Sequence, residues 1–166
     1  MSAKAGRKKA AASTQKVGNL YLQALSAGSS DAPPGLLLFC ERHEACCYLI
    51  NCGEGTQRFC MEHKLRMSGK LRRVLFTRMT WEELGGLPGM LLTMASTGHA
   101  SSLRLHGAAA LPRLVDGFRH FVAQQAMPHS THAVQSGQTI VLEESGIAAT
   151  PLVLRPTPPG GAHGSG

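Results

Sequence analysis

The apolar and polar positions of this chain fall into short runs that two periods explain. Along residues 19–26 (NLYLQALS), Leu20, Leu22 and Ala24 alternate with Tyr21, Gln23 and Leu25, which predicts a first strand with at least one strongly buried face. Residues 28–34 are rich in Gly, Ser, Asp and Pro and predict a turn. Two apolar runs follow, 36–41 and 46–52, parted by Arg42-His43-Glu44-Ala45, and together they predict a hairpin. Over residues 57–67 the pattern changes to helical spacing, with Phe59, Cys60, His63 and Met67 on one side, Thr56 as a possible N-cap and Glu62–Arg66 as an i,i+4 pair.

The stretch 71–89 (LRRVLFTRMTWEELGGLPG) organises the middle of the chain. Val74-Leu75-Phe76 has the length and residue types of a buried strand, and Thr80-Trp81-Glu82-Glu83 has the S/T-x-x-E form of a capping box. A helix is predicted from about residue 82 to 97. Gly85, Gly86 and Pro88 inside it call for a closely approaching backbone or a separate first turn. Another strand is predicted at 103–105. Residues 108–126 predict an amphipathic helix with Leu111, Leu114, Val115, Phe118 and Val122 on one face. The PHSTH run at 128–132 reads as a loop, and 139–142 and 151–154 read as strands separated by 143–150. Strands with interposed helices predict an α/β fold with a mixed sheet. Residues 19–155 form the predicted domain, between a tail at 1–18 and a Gly/Pro-rich tail or linker at 156–166. With no closing element before that tail, the domain is expected to be incomplete.

Composition changes the picture modestly. Lys and Arg outnumber Asp and Glu by 17 to 10, a formal charge of +7, which makes an acidic partner such as RNA plausible. Five of those cations (Lys4, Arg7, Lys8, Lys9 and Lys16) precede the first acid, Asp31, so much of the excess belongs to a tail expected to be disordered. Gly6-Arg7-Lys8-Lys9 is a weak nuclear-type cluster, and the lack of acids also suits a mitochondrial presequence or a tail with no address. An intracellular protein of nucleus, mitochondrion or both is expected, with no membrane partner, since no stretch is apolar enough to span a bilayer. Five cysteines without C-x-x-C spacing read as free thiols rather than a zinc knuckle or a disulfide framework.

Candidate chemistry is sparse. A strand that ends just before a helix places residues 78–83 at the carboxyl edge of a sheet, where α/β folds hold ligands. Glu82 and Glu83 could suggest acid–base catalysis or Mg²⁺ binding, but consecutive helical residues point about 100° apart and do not form one clamp. Capping by Thr80 and Glu83, worth about 1 kcal/mol, is the preferred reading. His63 reads as a packed or surface histidine, and His129 and His132 have no acidic partner nearby. Cys52, beside the Gly53/Gly55 turn, is the best candidate for a nucleophile, with no His/Asp partner placeable.

Several segments in order resemble one family: Tyr21-Leu22-Gln23, Asp31-Ala32-Pro33-Pro34, residues 51–58 (NCGEGTQR), Glu62-His63-Lys64-Leu65 and residues 75–90 (LFTRMTWEELGGLPGM). The chain is similar, over roughly residues 19–125, to the N-terminal half of long-form ribonuclease Z, the tRNA 3′-processing endonuclease of the metallo-β-lactamase superfamily. The resemblance implies a partial αββα fold. It also implies that a His-x-His-x-Asp-His motif binding two zinc ions belongs to the other, catalytic half. In this chain the corresponding positions are Arg78, Thr80, Glu82 and Glu83, and the aspartate that opens the glycine turn is Asn51. Arg78 cannot ligate a cation. The implied function is therefore a scaffold in the endonucleolytic removal of the 3′ trailer of pre-tRNA. The chain itself is expected to be inactive and without cofactor, zinc being held by a C-terminal catalytic half in cis or in trans. Arg58, Lys64, Arg66, Arg72 and Arg73 are the candidates for phosphate contact. An interaction module with no RNA role is the alternative.

Overall fold

The computed structural model describes residues 18–26, 28, 33–41, 45–65, 67–98, 101–122 and 127–154. The basic tail, Asp31, Arg66 and the Gly/Pro tail lie outside them, as do the side chains of Arg119, Phe121 and Val122. Six strands form one mixed sheet in sequence order: β1 (Asn19–Ser26), β2 (Gly35–Glu41), β3 (Ala45–Ile50), β4 (Leu71–Leu75), β5 (Leu103–Gly107) and β6 (His129–Ala133). The first three pair antiparallel, and β3 to β6 run parallel. Parallel neighbours need crossovers, supplied by α1 (Thr56–Glu62), by α2 (Trp81–Leu84) with α3 (Leu87–Ser96), and by α4 (Leu111–Val122). A separate antiparallel pair, β7 (Ile140–Leu142) and β8 (Ile147–Ala149), follows.

The period of two in the strands divides the interior into two layers. Leu37, Cys47, Leu49, Leu71, Val74, Leu103 and Leu105 face the helices and pack with Leu87, Met90, Leu91 and Met94 of α3 and Leu111, Val115 and Phe118 of α4. On the opposite face Cys40, Cys46 and Tyr48 pack with Leu142, flanked by Leu38, Leu75, Ile140 and Ile147. A bulge against Cys47/Tyr48 lets Leu71 and Val74 face the same side despite their odd spacing. It also sends Arg73 to the second face, in register with Tyr48.

Several sequence expectations need correction. β1 has the predicted span, but it is an edge strand with Leu25 as its buried residue, so neither face is strongly buried. The first helix stops at Glu62 because Lys64 turns to φ 54, and its N-cap is Gly55 at φ 81, with Thr56 already inside. Glu62 pairs with Arg58 at 3.6 Å. The PHSTH run is a strand: β5 offers a free parallel edge, and backbone pairing there outweighs weak β-propensity. His129 and His132, three apart on it, point to opposite faces and form no joint site. Residues 143–146 make a tight turn with Gly146 at φ 70, so the strand that pairs with β7 is 147–149, not 151–154.

A charged group lies on the second face, beneath the turn between β7 and β8. Arg73 is 3% exposed; its Nε donates to Glu144 Oε2 at 3.0 Å, and Nη2 lies equally close to that oxygen without hydrogen-bond alignment. Arg104 reaches Glu143 at 3.2 Å and Glu144 at 3.7 Å. His106 stacks on His132 with ring centroids 5.0 Å apart and lies 3.5 Å from Arg73 Nη1. Burial first, then His132, Arg73 and Arg104, push the His106 imidazole down to about 4, against some opposition from Glu144. Burial alone would raise Glu144, but its backbone amide and the two arginines outweigh that and lower it.

A histidine with a depressed folded pKa takes up its proton more readily when unfolded. Between pH 6.5 and about 4 the unfolded chain therefore binds more protons, and stability falls as pH falls through that window. The expected loss is up to about 3 kcal/mol, read as a drop in urea midpoint. His106→Gln should flatten the slope over that window, and an unchanged slope would remove His106 as its cause.

Candidate functional site

Two backbone turns meet at the carboxyl edge of the parallel strands, and they interlock. The first follows β3. Asn51 holds the left-handed φ of 62, its N–H donates to Leu75 O at 2.9 Å, and its Oδ1 accepts from Thr77 N at 2.9 Å and Thr77 Oγ1 at 3.0 Å. An Asn suits this conformation better than most residues with a Cβ. The second turn carries β4 into α2 and α3. Cys52 N donates to Glu83 O at 2.6 Å and Gly86 N donates to Cys52 O at 2.9 Å, so the two backbones exchange hydrogen bonds around Cys52.

That exchange explains two glycines. A Cβ on Gly53 would stand 2.3 Å from Glu82 O and 2.7 Å from Pro33 Cβ. One on Gly86 would stand 2.0 Å from Gly53 O. Both expectations raised by Gly85-Gly86 hold: another backbone crosses closely, and the first turn is a separate element, α2, with α3 restarting at Leu87.

The cap at Thr80 differs from the one predicted. Thr80 occupies the N-cap position with extended φ and ψ of −99 and 160, yet its side chain caps no backbone amide. Its hydroxyl donates instead to Glu83 Oε2, with a longer contact of 3.5 Å to Glu82 Oε2, and the turn closes through Glu83 N to Thr80 O at 3.2 Å. The reason is burial. Glu83 is 5% exposed, and an isolated buried carboxylate is costly, so the nearest hydroxyl is recruited to it rather than to the helix end. Arg78 Nη1 lies 3.9 Å from the other oxygen, Oε1, while the rest of its side chain is exposed. Glu82 and Trp81 are exposed.

The five basic candidates do not form one surface. Arg58 is exposed beside Glu62, and Lys64 is exposed at the end of α1. Arg72 is half-buried and donates to Ser101 Oγ. Arg73 must be withdrawn: the bulge in β4 turns it inward onto Glu144, away from any phosphate. Arg66 lies outside the described residues. Among the thiols, burial raises Cys52 and leaves it a poor nucleophile, and burial first, then Cys46, pushes Cys47 up to about 12. His63 is exposed and packs its ring on Phe59, centroids 4.1 Å apart. The stacked His106–His132 pair was missed in the sequence; its signal was the parallel register that sets the two rings side by side.

The interlock gives a sharp mutational contrast. Gly86→Ala should cost at least about 3 kcal/mol, because a backbone oxygen must move to admit the methyl group. Gly117→Ala, at an exposed position of α4 where nothing lies within 4 Å, should gain up to ~1 kcal/mol. Urea unfolding of both variants measures this, and equal midpoints would show that the crossing is not tight.

Comparison with known proteins agrees with this geometry. The model of the tRNase Z endonuclease family matches residues 23–86, a stretch that includes both interlocked turns. A mitochondrial tRNase Z of Arabidopsis thaliana is 40% identical over 113 residues, covering 66% of this chain and 12% of the relative. The mitochondrial ribonuclease Z of Drosophila melanogaster is 41% identical over 105 residues, covering 63% and 13%. The chain thus spans about an eighth of the length of these relatives. Among solved structures, a long-form RNase Z from yeast superposes with a TM-score of 0.63 at 31% identity, over 74% of this chain and 16% of the other. With a mixed sheet, helices on one face and these relatives, the chain belongs to the long-form ribonuclease Z family and shares its metallo-β-lactamase fold.

Proposed function

We propose that this chain is the non-catalytic, N-terminal part of a ribonuclease Z, and that it serves removal of the 3′ trailer of pre-tRNA as a scaffold for a zinc-bearing catalytic half. The observation that carries the reading is the state of the strand-to-helix turn. A site for two zinc ions needs several His and carboxylate donors converging with free lone pairs. Here Asn51 Oδ1 accepts from Thr77, and the Glu83 carboxylate is bound by Thr80 and flanked by the guanidinium of Arg78. The remaining positions supply one hydroxyl and one exposed carboxylate, Glu82. Among the described residues no group of three His, Cys, Asp or Glu side chains is arranged to hold a metal ion. This donor set does not suit zinc, and no step of cleavage is assigned to it.

The apolar residues left exposed support a protein partner for the same domain. On β1, Leu20 and Leu22 are 53% and 58% exposed, in register with Cys40 and Leu38 on the face away from the helices. Leu152, Val153 and Leu154 are still more exposed after β8. A catalytic half, in cis or in trans, is the proposed occupant. RNA contact is assigned to the exposed Arg58 and Lys64, with Arg72 secondary. The mitochondrial relatives favour a mitochondrial setting, and a nuclear one is retained as part of the proposal.

Adding this chain to a purified catalytic half of ribonuclease Z should raise cleavage of pre-tRNA, while the chain alone should leave the substrate intact. Cleavage that is independent of the added chain would sink the scaffold role. For RNA contact, Arg58→Ala and Lys64→Ala should each weaken binding to any pre-tRNA and reduce the log–log salt slope by about 1. Titration by fluorescence anisotropy at several salt concentrations measures it; an unaltered slope would leave these two as ordinary surface charge and favour the role without RNA.

A further inference from the structure

Five cysteines divide unequally between the two layers of the fold. Cys47, Cys52 and Cys60 belong to the helix-side core, where Cys60 lies close enough to both Cys47 and Cys52 to add to burial in raising their thiols. Cys40 and Cys46 belong to the opposite layer, and they share it with no other cysteine. They are direct cross-strand partners in the antiparallel pairing of β2 with β3, one residue in from the strand ends at Glu41 and Ala45. Directly opposed residues on antiparallel strands have Cα atoms about 4.5 or 5.5 Å apart, depending on the type of pair. A disulfide accepts Cα separations of roughly 4.4 to 6.8 Å. The register therefore meets the Cα requirement, and closure draws the Cβ atoms in from the roughly 4.5–5.5 Å of an opposed pair to about 3.8 Å.

We propose that Cys40 and Cys46 are a redox-convertible pair that closes as a cross-strand disulfide by exchange with a low-molecular-weight disulfide such as oxidised glutathione. One thiolate attacks a sulfur of the glutathione disulfide, forming a protein–glutathione mixed disulfide and releasing one glutathione thiolate. The second protein thiolate attacks the protein sulfur of that mixed disulfide and releases the other glutathione. Two protein thiols give up two protons and two electrons, and one glutathione disulfide becomes two glutathione thiols. The pair is 4% and 2% exposed, so exchange proceeds through opening of the strand ends, whose terminal residues Glu41 and Ala45 are already exposed.

The pair is wired to the rest of its layer. Cys46 Sγ donates to Tyr48 Oη at 3.5 Å, and Tyr48, wholly buried, is also hydrogen-bonded to Ser145 in the turn between β7 and β8. Oxidation removes the S–H donor and leaves the Tyr48 hydroxyl to Ser145. The redox state of the thiols is thereby transmitted to the turn that also carries Glu143 and Glu144.

The test incubates the full chain in glutathione buffers of graded oxidation, quenches with acid, alkylates remaining thiols and maps linkages by mass spectrometry of peptides. The expected result is a dominant Cys40–Cys46 link that reverses in reduced glutathione, with Cys47, Cys52 and Cys60 recovered as alkylated thiols. A dominant link elsewhere, a persistent mixed disulfide without closure, or five intact thiols in fully oxidised buffer would each overturn the proposal. The same experiment in concentrated guanidinium chloride should scatter the links among all five cysteines. A Cys40–Cys46 preference that survives unfolding would show that nearness in sequence, not strand register, makes the pair, and would overturn it equally.

Discussion

The crossing of two backbone turns around Cys52 is the constraint on which this structure depends. Cys52 gives its N–H to Glu83 and takes one from Gly86, so the chain leaving β3 and the chain leaving β4 are tied edge to edge. Each hydrogen bond alone contributes modestly, about 1 kcal/mol. Their geometry does more than their energy, because they require Gly53 and Gly86 to have no side chain and force the helix after β4 to begin twice. The parallel pairing of β3 with β4 and the placement of α3 over the sheet both follow from the same junction.

The same junction ties together the residues at the strand-to-helix turn of this metallo-β-lactamase fold. Where ligands would tie the turn to an ion, Asn51 ties it to Thr77 and Glu83 ties it to Thr80. Glu83 is the revealing residue. A carboxylate this buried is costly unless it is satisfied, and a hydroxyl together with a nearby guanidinium satisfies it from within the chain.

Much of this was legible in the sequence, because the information was local. The apolar runs of β2 and β3, the apolar face of α4 and the doubled glycine before Pro88 each specify an element or a crossing without reference to distant residues. The failures were all tertiary. Nothing near Arg73 announces Glu144, 71 residues later, and only the bulge that flips β4 brings them together. β1 carries a buried-strand pattern, yet it is an edge of the sheet, so Leu20 and Leu22 stay exposed and Leu25 alone of its leucines is buried. His129 to Ala133 has weak strand propensity and is a strand because β5 leaves an edge to pair with. Thr80 and Glu83 were read as capping backbone amides; the structure bonds them to each other instead, because Glu83 is buried, which no local pattern reveals.

The two faces of the sheet therefore differ in kind. The helix face is closed by long-range apolar packing that leaves Leu37, Leu49, Val74, Leu103 and Leu105 wholly out of water. Among the described residues the other face is covered by β7 and β8, and there it mixes a thiol pair, a tyrosine, two histidines and four charged groups. Aliphatic packing is insensitive to pH, whereas in the second layer Arg73, Arg104, Glu143, Glu144, His106 and His132 are coupled to one another. A domain built this way keeps its shape through the helix layer. The opposite layer, with its titratable contacts, is then the place where pH can act on it without unfolding the whole.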